Sequence, residues 1–128
     1  IIIGAGNMGQ ALSNYTNFSR RGFNLVGIFD VNPKVVGTKI KGIEVMHSDK
    51  LDEFVKDYKV DIAILSTPFE QTQAVAERVA ELGIKGIWNF SPMDLKLNHN
   101  VIIENVHLSD SLMVLGYKLD ERFGKEEE

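Results

Sequence analysis

Residues 1–9 read Ile1-Ile2-Ile3-Gly4-Ala5-Gly6-Asn7-Met8-Gly9. The apolar run predicts a buried strand, and the glycines that end it stand at the spacing of a tight turn leading into a helix. Each glycine has its own task. Gly4 lets the chain turn as it leaves the strand, Gly6 leaves the backbone bare for a ligand's phosphates, and Gly9 lets the helix sit close on the sheet. The next apolar run, Leu25-Val26-Gly27-Ile28-Phe29, ends in Asp30. That acid follows Gly9 at the interval of about 20 residues typical of a dinucleotide-binding unit. Gly4, Ala5, Gly6, Asn7, Met8 and Gly9 are therefore the candidate pyrophosphate loop, at a helix N-terminus whose N–H groups suit an anion. The Asp30 carboxylate would accept hydrogen bonds from the adenosine ribose hydroxyls and repel a 2′-phosphate, which favours NAD(H) over NADP(H). A plain glycine turn, with Asp30 opening a loop before Asn32-Pro33, is the blander alternative.

Outward from this unit, strands and helices alternate. A helix is expected from Asn7 to Ser19, with Met8, Leu12 and Tyr15 on one face, ended by Arg20-Arg21-Gly22. Strand Leu25–Asp30 follows, then a looser stretch with a short alternating strand at Ile43–Met46. A helix from Asp49 to Tyr58 leads to strand Val60–Ser66, apolar enough to be covered on both faces. A helix over Phe69–Leu82, strand Gly86–Phe90, strand Val101–Val106 and a helix over Leu108–Arg122 complete the chain. The pattern predicts an α/β, Rossmann-type doubly wound, mostly parallel sheet with a C-terminal helix. Residues 1–107 would form the dinucleotide-binding domain, and 108–128 the C-terminal helix and acidic tail.

The net charge is −4, and the tail from Asp120 onward, with two basic and five acidic residues, holds most of it. Without a basic stripe the segment has no grip of its own on nucleic acid. No apolar run could span a bilayer. The absence of cysteine excludes disulfides and thiolate chemistry and fits a cytoplasmic setting. The chain begins inside a strand without an initiator methionine, so we expect it to be part of something longer.

Ligands of such sheets lie beyond the carboxyl ends of the strands. Two further strand ends carry suitable residues: Ser66-Thr67-Pro68 and Asn89-Phe90-Ser91-Pro92. Phe90 and Pro68 could give flat apolar contacts to a nicotinamide, and Thr67, Asn89 and Ser91 could hydrogen-bond its ribose or carboxamide. Ordinary turn chemistry would choose the same residue types. His47, His99 and His107 have no metal-ligand spacing, and no metal site is expected. No Tyr-x-x-x-Lys or His/Asp pair marks a proton donor for hydride transfer, so the chain is not expected to be an enzyme.

With these residues in place, the chain resembles the C-terminal domain of the Rex family of redox-sensing transcriptional repressors. The matching stretches are residues 4–15, 29–33, 63–68, 83–92 and 104–108, and Gly-Ile-Lys-Gly-Ile-Trp-Asn-Phe-Ser-Pro at 83–92 is the most specific. The resemblance implies a homodimer that senses NADH against NAD⁺ and releases operator DNA when NADH closes it. The DNA would be held by an N-terminal winged-helix domain outside this sequence. It also implies that the C-terminal helix swaps to the partner subunit, with Leu108 reaching the partner's nicotinamide pocket. Leu108, Leu112, Leu115 and Leu119 form an apolar stripe that suits such a helix, or one packed on its own sheet. Where the family has an aspartate before this helix, the chain has His107, and Ser111-Leu112-Met113 replaces Glu-Leu-Gln. In the family the aspartate alternates between a tyrosine, matched by Tyr15, and an arginine of the winged helix. Neutral histidine can bond a tyrosine hydroxyl but cannot form an ion pair with arginine. Two other functions share the fold: the cofactor half of an NAD-dependent oxidoreductase, and a CoA- or nucleotide-binding module.

Overall fold

The computed structural model describes residues 1–15, 17–97 and 100–124, and the side chains of all of these except 17 and 108–111. Seven strands run in the order β3-β4-β2-β1-β5-β6-β7. These are β1 (Ile2–Ile3), β2 (Ile28–Asp30), β3 (Lys39–Ile40), β4 (Ile43–His47), β5 (Ile62–Leu65), β6 (Gly86–Asn89) and β7 (Ile102–Asn105). All neighbouring pairs are parallel except β3 with β4. Strand β3 was not foreseen. Gly37 and Gly42, both at positive φ, turn the chain so that Lys39–Ile40 folds back on Ile43–Glu44.

The helices are α1 (Asn7–Ser13), α2 (Asn17–Arg20), α3 (Leu51–Asp57), α4 (Phe69–Glu81) and α5 (Leu108–Phe123). The single helix expected over 7–19 is thus two. Ser13 Oγ bonds the Gly9 carbonyl at 2.7 Å, and the Asn14 side chain bonds the Gln10 carbonyl at 3.0 Å. Side chains that compete for helix carbonyls in this way bend or end a helix. A 3₁₀ turn over Ser48–Lys50 precedes α3, where one helix was expected from Asp49.

Strand pairing fixes which residues share a face. Ile1, Ile3, Phe29, Ala63, Leu65 and Ile87 meet Leu51 and Phe54 of α3 and Ala76 and Val79 of α4 in the main core. Phe29 and Phe54 pack edge to face at 5.3 Å. Arg78 of α4 binds Asp52 of α3 at 2.8 Å and the Ser48 carbonyl at 2.9 Å, joining the helices over this face. On the opposite face Ala5, Ile28 and Val45 form a smaller cluster. Beyond it, over β5–β7, the described residues cover the sheet only in part, with Phe18 of α2 reaching Trp88 of β6. The double cover expected of residues 60–66 is complete on one face, at Ala63 and Leu65, and partial on the other, at Ile62 and Ile64, within the described residues. Ile64 and Trp88 stay half-buried, and Ile102 is 80% exposed.

Helix α5 is equally bare. Every described side chain from Leu112 to Phe123 is exposed, including Leu112, Leu115 and Leu119. The alternative of a helix packed on its own sheet is excluded for these residues.

Candidate functional site

Strand β1 lies between β2 and β5, and the connections run to opposite sides of it. That reversal opens a crevice beyond the carboxyl end of β1, where open α/β sheets take their ligands. The glycine turn forms its floor. Gly4 has φ +105°, and a side chain there would lie 2.6 Å from the Ser66 carbonyl oxygen. Ser66 Oγ in turn donates to the Gly4 carbonyl at 2.7 Å, binding the end of β5 to the turn. The sequence placed Ser66 at a strand end facing the ligand but gave it no role; the pairing of β1 with β5 brings it onto the turn. At Gly9 a Cβ would stand 1.7 Å from the Gly4 carbonyl oxygen, so α1 rests directly on the turn.

Gly6 differs from both. A Cβ there would meet nothing within 4 Å, and its backbone, at φ −74° and ψ −161°, is open to any residue. Glycine at this point serves no packing need of the chain, which is what a phosphate cradle requires. Asn7 and Met8 are exposed beside it, while Ala5 is buried.

Asp30 does more than its spacing suggested. Its Oδ2 accepts the Ala5 N–H at 2.7 Å, and its Oδ1 accepts those of Val31 at 2.6 Å and Asn32 at 3.0 Å. The carboxylate fastens the glycine turn to the end of β2. Its oxygens have further lone pairs for hydroxyl donors.

The other two strand ends lie beside this crevice in the order β1, β5, β6. Their polar side chains turn inward. Thr72 of α4 shares a hydrogen bond of 2.8 Å with Thr67 Oγ1, a second with Ser91 Oγ, and a third of 3.0 Å with the Pro68 carbonyl. Asn89 is 1% exposed. Its Nδ2 donates to the Met93 carbonyl and to Asn105 Oδ1, and its Oδ1 accepts the Ser91 N–H. Both amide protons are thus committed within the fold, so Asn89 shapes the pocket wall. Phe90 is half-buried and packs edge to face on Trp88 at 4.6 Å, and Pro68 and Pro92 are exposed at the rim. Thr72 and Asn105 had no assigned role in the sequence reading. Thr72 is an ordinary helix residue in sequence, and Asn105 is recognisable only once β6 and β7 are in register.

The residues expected to form a switch lie elsewhere. Tyr15 is exposed and stacks edge to face on Phe18 at 4.8 Å, and Phe18 reaches Trp88 at 6.1 Å. These rings border a groove of about 750 Å³ on the partly covered sheet face, with Ile64, Ile102 and Glu104 on its floor. His107 immediately precedes α5, and its Nε2 is 3.2 Å from Asp94 Oδ1. His47 accepts the Asp49 N–H at 3.1 Å as a local cap, and His99 lies outside the described residues. Helix α5 starts at Leu108, whose side chain is also outside them. Among the described residues no group of acidic or histidine side chains could hold a metal ion, and no helix is long and apolar enough to cross a membrane.

Residues 1–93 match the family model described as the CoA binding domain. The chain belongs to that family. The resemblance to Rex also holds over nearly its whole length. It is 56% identical over 121 residues to the redox-sensing transcriptional repressor Rex of Caldanaerobacter subterraneus subsp. tengcongensis, covering 94% of this chain and 54% of that protein. Among solved structures it is similar to RSP, a Rex-family repressor, in complex with β-NADH, with a TM-score of 0.90 and 51% identity over 98% of this chain and 61% of that one. RSP in complex with β-NAD⁺ and operator DNA matches with a TM-score of 0.87 at 51% identity, over 98% and 58%. The chain therefore spans about half the length of the curated relatives it matches. These relatives are named as repressors rather than enzymes, and the Rossmann-type sheet expected from the sequence is the one they share.

Proposed function

We propose that this chain is the NAD(H)-sensing and dimerisation module of a Rex-like transcriptional repressor acting in the cytoplasm. The observation that carries the reading is the crevice over β1. Gly6 has empty space in front of it and Asp30 presents a carboxylate, in a fold that matches a Rex-family repressor bound to NADH. Gly4–Gly9 would hold the pyrophosphate and Asp30 the adenosine ribose. Thr67, Pro68, Phe90, Ser91 and Pro92 would bound the nicotinamide, with Asn89 supporting them from beneath. The cofactor supplies a reporter of redox state and undergoes no chemistry. Residues 1–107 are the sensing domain and 108–128 the dimerisation element. DNA would be gripped by a winged-helix domain N-terminal to this sequence.

A homodimer accounts for the two bare apolar surfaces. The stripe of α5 and the groove beside Trp88 each lack a cover within the described residues. A helix exchanged between two subunits leaves its own sheet uncovered and reaches that of its partner. Leu108 would approach the partner's nicotinamide pocket, and His107 would face the partner's Tyr15. Replacing Leu112 and Leu115 together by Glu is expected to raise the dimer dissociation constant at least about a hundredfold, since two anchoring side chains are lost. Sedimentation equilibrium measures it, and a dimer of unchanged affinity would remove α5 from the interface.

Asp30→Ala is expected to weaken NADH about tenfold and to narrow the preference over NADPH, as lost charge-assisted hydrogen bonds of this kind do. Calorimetric titration of both cofactors checks it, and an unchanged NADH affinity would refute the ribose assignment. The family's description makes CoA the specific second reading. In CoA the ribose carries a phosphate, which the Asp30 carboxylate would repel. The same titration run with CoA separates the two: tighter binding of CoA than of NADH would favour the second.

A further inference from the structure

We propose that Asn105 is a positioning residue that ties the nicotinamide end of the crevice to the direction of helix α5. The inference rests on the functional reading above and names the part of the fold that would carry its signal. Asn105 closes β7 and stands opposite Asn89 in the register of the two strands. Its Oδ1 accepts two hydrogen bonds, from Asn89 Nδ2 at 2.9 Å and from the Leu95 N–H at 3.2 Å. The Val106 N–H donates to the Asn89 carbonyl at 2.8 Å. The start of α5 is thus fastened to the end of β6 by side chain and backbone alike.

From Asn89 the connections run to the crevice without a break. Asn89 Oδ1 accepts the Ser91 N–H at 3.0 Å, Ser91 Oγ meets Thr72 Oγ1, and Thr72 Oγ1 meets Thr67 Oγ1 at 2.8 Å. Thr67, Thr72, Asn89 and Ser91 are all buried. In a dry polar network a member that shifts alone leaves its neighbour unsatisfied, so the group moves as a unit. A second tie runs outside the core, from Asp94 Oδ1 to His107 Nε2 at 3.2 Å. Segment 93–95 therefore meets the base of α5 on both sides. Beyond that base α5 has no packing of its own, since its described side chains are all exposed. Among the described residues, the fastening at 105–107 is what holds the base of α5 to its own sheet.

A ligand that pushes on Thr67 or Ser91 would then swing α5 and with it the partner. Coupling of this kind is a free energy between two sites, so it is measured by comparing the helix's response with the ligand's affinity. The chain has no cysteine, so the full chain with Lys59→Cys and Lys118→Cys can be spin-labelled selectively. The distance between the labels is read with and without NADH, alongside calorimetric NADH affinity. Asn105→Ala is expected to keep NADH affinity within about threefold and to reduce the NADH-dependent distance shift at least about fivefold. Asn105→Asp, which retains the accepting Oδ1, restores the shift. Asp94→Ala, at an exposed position, cuts only the outer tie and reduces the shift about twofold; it carries the test if Asn105→Ala does not fold.

A wild-type shift in Asn105→Ala, or in Asp94→Ala where that variant stands in, overturns the proposal. So does a loss of affinity in proportion to the loss of shift that Asn105→Asp fails to rescue, because that is the mark of a purely structural role. Failure of the labelled parent to bind NADH overturns the functional reading itself and this inference with it.

Discussion

Gly6→Ala is expected to abolish useful NADH binding while leaving the fold intact. The two halves of that statement come from different observations. A Cβ at Gly6 meets nothing within 4 Å, and φ −74°, ψ −161° is ordinary extended backbone that alanine adopts freely. Replacing glycine by alanine at the N-cap of α1 loses a cap preference of about 1 kcal/mol, so the melting temperature should fall by no more than about 4 °C. The new methyl, however, stands where the diphosphate would press on the main chain. Loss of that close approach should weaken NADH at least about thirtyfold, or ~2 kcal/mol. Calorimetry and thermal melting on the same sample separate the outcomes. Undiminished affinity would mean that no diphosphate lies over this turn.

Gly9→Ala should do the reverse and damage the fold first. Helix propensity alone would favour the substitution by about 1 kcal/mol. Packing decides otherwise, because the added carbon would lie 1.7 Å from the Gly4 carbonyl oxygen and 3.0 Å from Ser66 Oγ. Neither neighbour can yield cheaply. The first is backbone at a positive φ, and the second is hydrogen-bonded to that same carbonyl. Helix α1 must therefore lift from the turn, at a net cost of about 3 kcal/mol. A fall in melting temperature of roughly 10 °C follows for a chain of this size. A stabilised protein would show that α1 is not seated as described.

Much of this was legible in the sequence because it depends on local chemistry. The glycine turn, the acid at the end of β2 and the order of strands and helices follow from residue type and period. Misjudgements fell where side-chain bonds and strand pairing, rather than residue type and period, decide. The break after Ser13 depends on two side chains turning back on helix carbonyls. Strand β3 exists through its pairing with β4, and two residues carry no periodicity of their own. At the candidate site, Gly4, Gly6, Gly9 and Asp30 were found by spacing. The roles of Ser66 and Asn105 were not, since each acquires its partner only when distant segments meet, and Thr72 was missed because nothing in its type or place marks it as the link between Thr67 and Ser91. Asn89 shows the converse: its type and place suggested a ligand contact, but the fold spends its amide on Met93 and Asn105.

The open side of the sheet over β5–β7 has a consequence for how such a protein endures heat and dilution. A fold that completes its core only by borrowing from a neighbour is governed by mass action. On the proposed assembly its melting point climbs as the sample is concentrated, and a solitary copy, freshly made and still seeking its match, is the form that proteases and aggregation would claim first.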